Sequence, residues 1–127
     1  MSKLSLSFFT VAALCGLVGM VFGAVMGVTE DFTLSPSHAH LNLLGWASLA
    51  IMGTFYALAG RGGRLGWTNF VLSSAGAIVM SLSLGLYLAG NQPFLNGVMA
   101  GTVIAVLGMA TFVASVARSW GRTKIAA

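Results

Sequence analysis

The chain has 127 residues, 57% of them hydrophobic and 6% charged, with a mean hydropathy of +0.95. A water-soluble domain devotes about a quarter of its residues to charge in order to cover its surface. This composition excludes such a domain and predicts an all-α integral membrane protein, a four-helix bundle forming a single membrane domain over residues 1–127. The formal net charge of +4 comes from six cations set against two acids. The cations are scattered at the edges of apolar runs, which membrane topology explains and which excludes nucleic-acid binding.

Lys3 precedes a first apolar run from about Leu4 to Val28, long enough to cross a hydrocarbon core of ~30 Å as a helix. A basic residue before an apolar run resembles a signal peptide. This run is long, however, no small-x-small cleavage site follows it, and further spans come after, so a retained helix is expected. Cys15 within it is the one cysteine of the chain. No intrachain disulfide or thiolate cluster can form, and Cys15 is expected to pack as a small hydrophobe. Gly16, Gly19, Gly23 and Gly27 make a smooth strip on one face, where another helix can approach closely.

A loop from Thr29 to Ser37 holds Glu30 and Asp31, the only carboxylate side chains, together with Pro36. Ser35 or Ser37 is expected to cap the next helix, and Pro36 suits its first turn. The second span runs from about His38 to Ala59. The turn after it, Gly60-Arg61-Gly62-Gly63-Arg64-Leu65-Gly66, is basic but lacks the lysine-serine pair and strand context of a phosphate-binding loop. The third span covers roughly Trp67 to Ala89, with Trp67 and Tyr87 as interface anchors. Its serines, Ser73, Ser74, Ser81 and Ser83, are expected to bond their own backbone or a neighbouring helix. Gly90-Asn91-Gln92-Pro93 then turns into a fourth span, Phe94 to about Ala117, where Gly97 and Gly101 offer a small-residue contact. The even spacing suggests two helical hairpins, although no sequence repeat accompanies them.

With four spans, Lys3, Arg61, Arg64 and the tail cations Arg118, Arg122 and Lys124 fall on one side, and Glu30 and Asp31 on the other. The positive-inside rule then puts both termini in the cytoplasm and the start of the second span at the outer face. A multi-pass protein of a bacterial inner membrane is expected.

Both histidines of the chain, His38 and His40, open the second span. A histidine at this depth can ligate a haem or metal ion, shuttle protons, or hydrogen-bond at the interface. Residues two apart on a helix point about 200° from one another, so the two cannot clasp one iron between them. His40 heads Leu44, Ala47 and Ile51, an apolar strip suited to a flat porphyrin. His38 heads Asn42, Gly45, Leu49 and Gly53, a strip suited to helix contact. Chemistry therefore favours His40 as the cofactor ligand, with Glu30 or Asp31 near enough to receive a second imidazole N–H.

The run His40-Leu41-Asn42-Leu43-Leu44, followed by Trp46, resembles the start of the second helix of the haem–copper oxidase subunit I superfamily, and within it the large subunit of bacterial nitric oxide reductases. The resemblance implies that His40 is an axial ligand of a low-spin haem b, with Asn42 and Trp46 available to bond the haem propionates or the histidine. The family's core is three arcs of four helices with further histidines on later helices, whereas here no histidine follows His40. The chain therefore resembles a four-helix fragment or stand-alone relative, not a complete enzyme. A second axial ligand has to come from Met26, Met99 or another copy's histidine. The expected partners are the lipid bilayer, further copies in a dimer or trimer, and a respiratory redox protein.

Three functions thus stay open: a small haem protein for electron transfer or for haem or gas sensing; a copper or zinc site built from His38, His40 and a carboxylate; and a non-catalytic helical subunit of a respiratory complex. Optical absorbance and metal content distinguish them.

Overall fold

The computed structural model describes residues 1–60 and 62–120. Arg61, Arg122 and Lys124, which entered the charge argument, lie outside these. Four helices are long and apolar enough to cross a membrane, and the described chain contains no strand.

Helix α1 is Lys3–Thr29. The Ser2 hydroxyl caps it by accepting from the Ser5 N–H at 3.1 Å, which satisfies one of the donors every helix N-terminus leaves unpaired. Glu30 ends it in the left-handed conformation, φ 54°, a position usually given to glycine. Asp31 then organises the loop. Its Oδ1 accepts from the Thr33 N–H (3.0 Å) and hydroxyl (2.6 Å), and these bonds hold the carboxyl below its ordinary pKa.

Helix α2 is Ser35–Ala59, three residues longer at its start than the sequence suggests. Pro36 fits the first turn, since its ring presets a helical φ and its missing N–H is not needed there. The expected serine cap is not made: Leu34 is the capping residue and contributes no side-chain bond. The Ser37 hydroxyl instead donates across to the Ser81 carbonyl at 2.7 Å. From Leu41 to Ser48 the helix widens to π geometry before returning to α over Leu49–Ala59. A π stretch shifts the register of everything beyond it and is found mostly at functional or packing-constrained sites.

Helix α3 is Gly63–Leu88 and α4 is Leu95–Trp120, the latter entered through a 3₁₀ turn at Gln92–Phe94. α3 begins four residues before the expected Trp67, because Gly66 N–H already reaches the Gly62 carbonyl at 2.9 Å. Both glycines lie under Leu4 and Tyr56, where a β-carbon would collide with Leu4 and crowd the Tyr56 ring.

The helices pair α1 with α2 and α3 with α4, and α2 meets α3 between the pairs. Small residues seal each pair. Gly76 abuts the backbone of Ala105, Gly101 that of Met80, and Gly108 that of Ser73, while Gly97 meets the Ser83 side chain. Gly97 and Gly101 thus serve as expected.

An apolar core of Leu4, Phe8, Ala12, Leu49, Met52 and Tyr56 lies towards the chain-terminal end, with Phe8 stacked on Tyr56 at 5.4 Å and edge-on to Phe70 at 5.1 Å. Elsewhere the usual distribution is inverted. Ser5, Ser37, Asn69, Ser73, Ser81 and Ser115 are buried, whereas Leu17, Val21, Ile51 and Val103 are exposed. In a bilayer, lipid accepts an apolar outer surface and helices associate through close packing and polar contacts. Ser5 illustrates this: fully buried, its hydroxyl donates to the Gly53 carbonyl of α2 at 2.8 Å.

Candidate functional site

The first turns of α2 direct three side chains in three directions, because successive residues on a helix turn by about 100°. Ser37 faces α3, through its bond to Ser81. His38 faces α1. His40, about 200° further round than His38, faces away from α1.

His38, Asn42 and Trp46 form a column that fits the glycine strip of α1 one residue to one. A β-carbon on Gly23 would stand 2.9 Å from His38 Cε1, one on Gly19 2.5 Å from Asn42 Oδ1, and one on Gly16 3.1 Å from the Trp46 ring. Gly27, the last of the strip, has nothing within 4 Å. Phe22 meets the His38 ring edge to face at 5.9 Å. Asn42 Nδ2 donates to the His38 carbonyl at 2.9 Å and lies 3.3 Å from its Nδ1. On the same side Gly45 lies against Cys15 and Gly53 against Phe8. The strip headed by His38 is therefore the helix contact, and Asn42 serves His38 rather than His40. Trp46 covers Gly16 and keeps 50% of its surface exposed.

His40 is half-buried, and its Nδ1 lies 2.7 Å from the Pro36 carbonyl oxygen. A carbonyl only accepts, so the bond assigns a proton to Nδ1, and in the neutral ring the free lone pair is that of Nε2. Ligating histidines have this arrangement, in which a second hydrogen bond sets tautomer and ring direction. The acids expected to orient the imidazoles do not do so here. Asp31 is taken up by Thr33 one turn earlier, and a carbonyl on α2 itself fills the role. Among the described residues no group of three His, Cys, Asp or Glu side chains is placed to hold a metal ion.

The two candidate methionines differ in burial. Met26 is buried on α1, the helix that His38 faces, and Met99 is 61% exposed on α4. Of the apolar strip expected below His40, Leu44 and Ala47 are half-buried and Ile51 is exposed, and the π stretch from Leu41 to Ser48 alters the α-helical spacing by which they align.

A second polar cluster escaped the sequence reading. At the chain-terminal end, the Tyr56 hydroxyl donates to Ser115 Oγ at 2.8 Å, with Asn69 Oδ1 3.2 Å away. Asn69 Nδ2 donates to Ser73 Oγ (3.0 Å) and to the Gly108 carbonyl (2.7 Å), and the Ser115 hydroxyl donates to the Thr111 carbonyl at 2.9 Å. The network ties α2, α3 and α4 together. Asn69 within an apolar run was the available signal, since an amide there needs partners.

Comparison of the chain with protein-family models, curated proteins and solved structures finds no match, so the likeness of His40–Leu44 to a haem-ligating helix stands on those residues only.

Proposed function

We propose that this chain is a small multi-pass protein of a bacterial inner membrane that offers His40 Nε2 as an axial ligand to haem b, for electron transfer or for haem or gas sensing. Both termini lie in the cytoplasm in this reading, with the histidines near the outer face. The observation that carries it is the 2.7 Å bond from His40 Nδ1 to the Pro36 carbonyl, which in the neutral ring makes Nε2 the nitrogen free to ligate. The apolar residues beyond it, Leu44, Ala47 and Ile51, suit a porphyrin face.

One chain brings a single such imidazole; a second ligand would come from His40 of another copy or from a methionine in an electron-transfer protein, and would be absent in a gas sensor. Haem supplies reversible one-electron chemistry or gas binding when bound. The residues of the chain hold the imidazole's direction and tautomer and exclude water. A respiratory protein is the expected redox partner.

The test is an optical spectrum of protein purified in mild detergent from haem-replete cells, oxidised and then dithionite-reduced. A Soret band with sharp reduced α and β bands is expected, lost in His40→Ala and kept in His38→Ala. A colourless wild type sinks the proposal, and metal analysis of that sample then decides between a copper or zinc site and a structural subunit.

A further inference from the structure

At the chain-terminal end, far from the histidines, α2, α3 and α4 border a half-open cavity of about 400 Å³. Arg64 and Arg118 both line it, together with Tyr56, Ser115 and the backbone at Gly62 and Gly63. The only carboxylate side chains of the chain, Glu30 and Asp31, lie in the loop at the other end of helices 26 residues long, a rise of about 39 Å. Two arginines, both solvent-exposed, thus border one cavity with no side-chain counter-charge near them, which leaves their guanidinium groups available to an anion.

The walls add donors of the same sense. Helix α3 starts at the cavity with no side-chain cap and no acid in its first turn, so no side chain of its own neutralises the positive end of its dipole. Gly63, at φ +55°, has nothing within 4 Å of where a β-carbon would project, so an anion can approach its backbone closely. The Tyr56–Ser115–Thr111 chain of hydrogen bonds fixes the opposite wall.

We propose that this cavity binds a phosphate group, as the headgroup of an anionic phospholipid or as free phosphate. Guanidinium forks match phosphate oxygens bidentately, uncapped helix N–H groups complete the cradle, and the ends of apolar helices lie at headgroup depth. It is not a nucleotide loop, because no lysine-serine pair follows the glycines. The site is independent of the haem proposal.

The experiment uses the full chain, delipidated in mild detergent, with native mass spectrometry reading retention of added phosphatidylglycerol against phosphatidylcholine, and with inorganic phosphate added alone in a parallel thermal-stability series. Wild type is expected to retain phosphatidylglycerol selectively, and Arg64→Gln/Arg118→Gln to bind it about ten-fold more weakly or worse. Arg64→Lys/Arg118→Lys should recover part of the loss, and Lys3→Gln, a cation on a different groove, should change nothing. Stabilisation by inorganic phosphate that the double Gln variant loses, without lipid selectivity, identifies the soluble ion as the ligand. Neither form of binding, or binding unchanged in a double variant that still unfolds at the wild-type temperature, overturns the proposal. A double Gln variant that does not fold leaves the Lys variant and each single Arg→Gln variant to be read by the same criteria.

Discussion

The imidazole of His38 lies over Gly23 of the neighbouring helix, so close that one methyl group on that glycine would stand 2.9 Å from Cε1. Asn42 over Gly19 and Trp46 over Gly16 repeat the relationship one and two turns along. Here the glycine is needed for its missing side chain, not for its backbone freedom.

Substitution along this strip should therefore follow the position of its partner. Gly19→Ala and Gly23→Ala are expected to cost about 1–3 kcal/mol, the usual penalty of overpacking, while Gly27→Ala is neutral because nothing lies within 4 Å. Gly76→Ala should cost more than Gly23→Ala, since its methyl group meets the Ala105 backbone, which cannot swing aside as a ring can. Unfolding in mixed micelles measures all four. Equal effects at Gly23 and Gly27 would show that the strip is not the α1–α2 contact.

The two histidines should separate in their effects. His38→Ala removes a ring packed between Gly23 and Phe22 and is expected to destabilise by about 2 kcal/mol through the void it leaves. His40→Ala should leave stability within about 0.5 kcal/mol of wild type, as changes outside packed features usually do. Nitrogen-15 NMR of the imidazoles should show His40 protonated at Nδ1 at neutral pH. An Nε2–H tautomer contradicts the bond to Pro36.

Tyr56→Phe deletes the hydroxyl between Ser115 and Asn69 and is expected to cost about 0.5–2 kcal/mol, the range of hydrogen bonds between membrane helices. Asn69→Ala should cost more, because it removes donors to both Ser73 and Gly108. A double-mutant cycle of Tyr56→Phe with Ser115→Ala should give a coupling above about 0.5 kcal/mol. Strict additivity refutes the network.

Asp31 provides the pH dependence. Thr33 holds its carboxyl below the ordinary value of 3.8, so the folded pKa is depressed. The stabilisation is then fully present above that value and is lost as pH falls through the folded pKa. Wild type should lose slightly more stability than Asp31→Ala when taken from pH 6 to about pH 3, a range that crosses the ordinary carboxylate value. The effect is small because the group is fully exposed. Parallel titrations of the two proteins contradict the role given to Thr33.

Composition and hydropathy by themselves pointed to four apolar helices and three polar turns, because in a chain with 6% charge continuous apolar runs of spanning length satisfy their own backbone as helices. They also marked His38's strip for helix contact, since small residues at helical spacing suit nothing else so well. Tertiary structure decided the rest. Where α2 begins depends on Ser37 reaching Ser81, 44 residues away. How its register runs beyond His40 depends on the π stretch at Leu41–Ser48, where Gly45 and Trp46 meet Cys15 and Gly16. Tyr56 found Ser115 across 59 residues, and Arg64 and Arg118 came to share one cavity. Local spacing predicts which residues share a face of one helix. Which face meets which neighbour is settled only by the packing of all four helices at once.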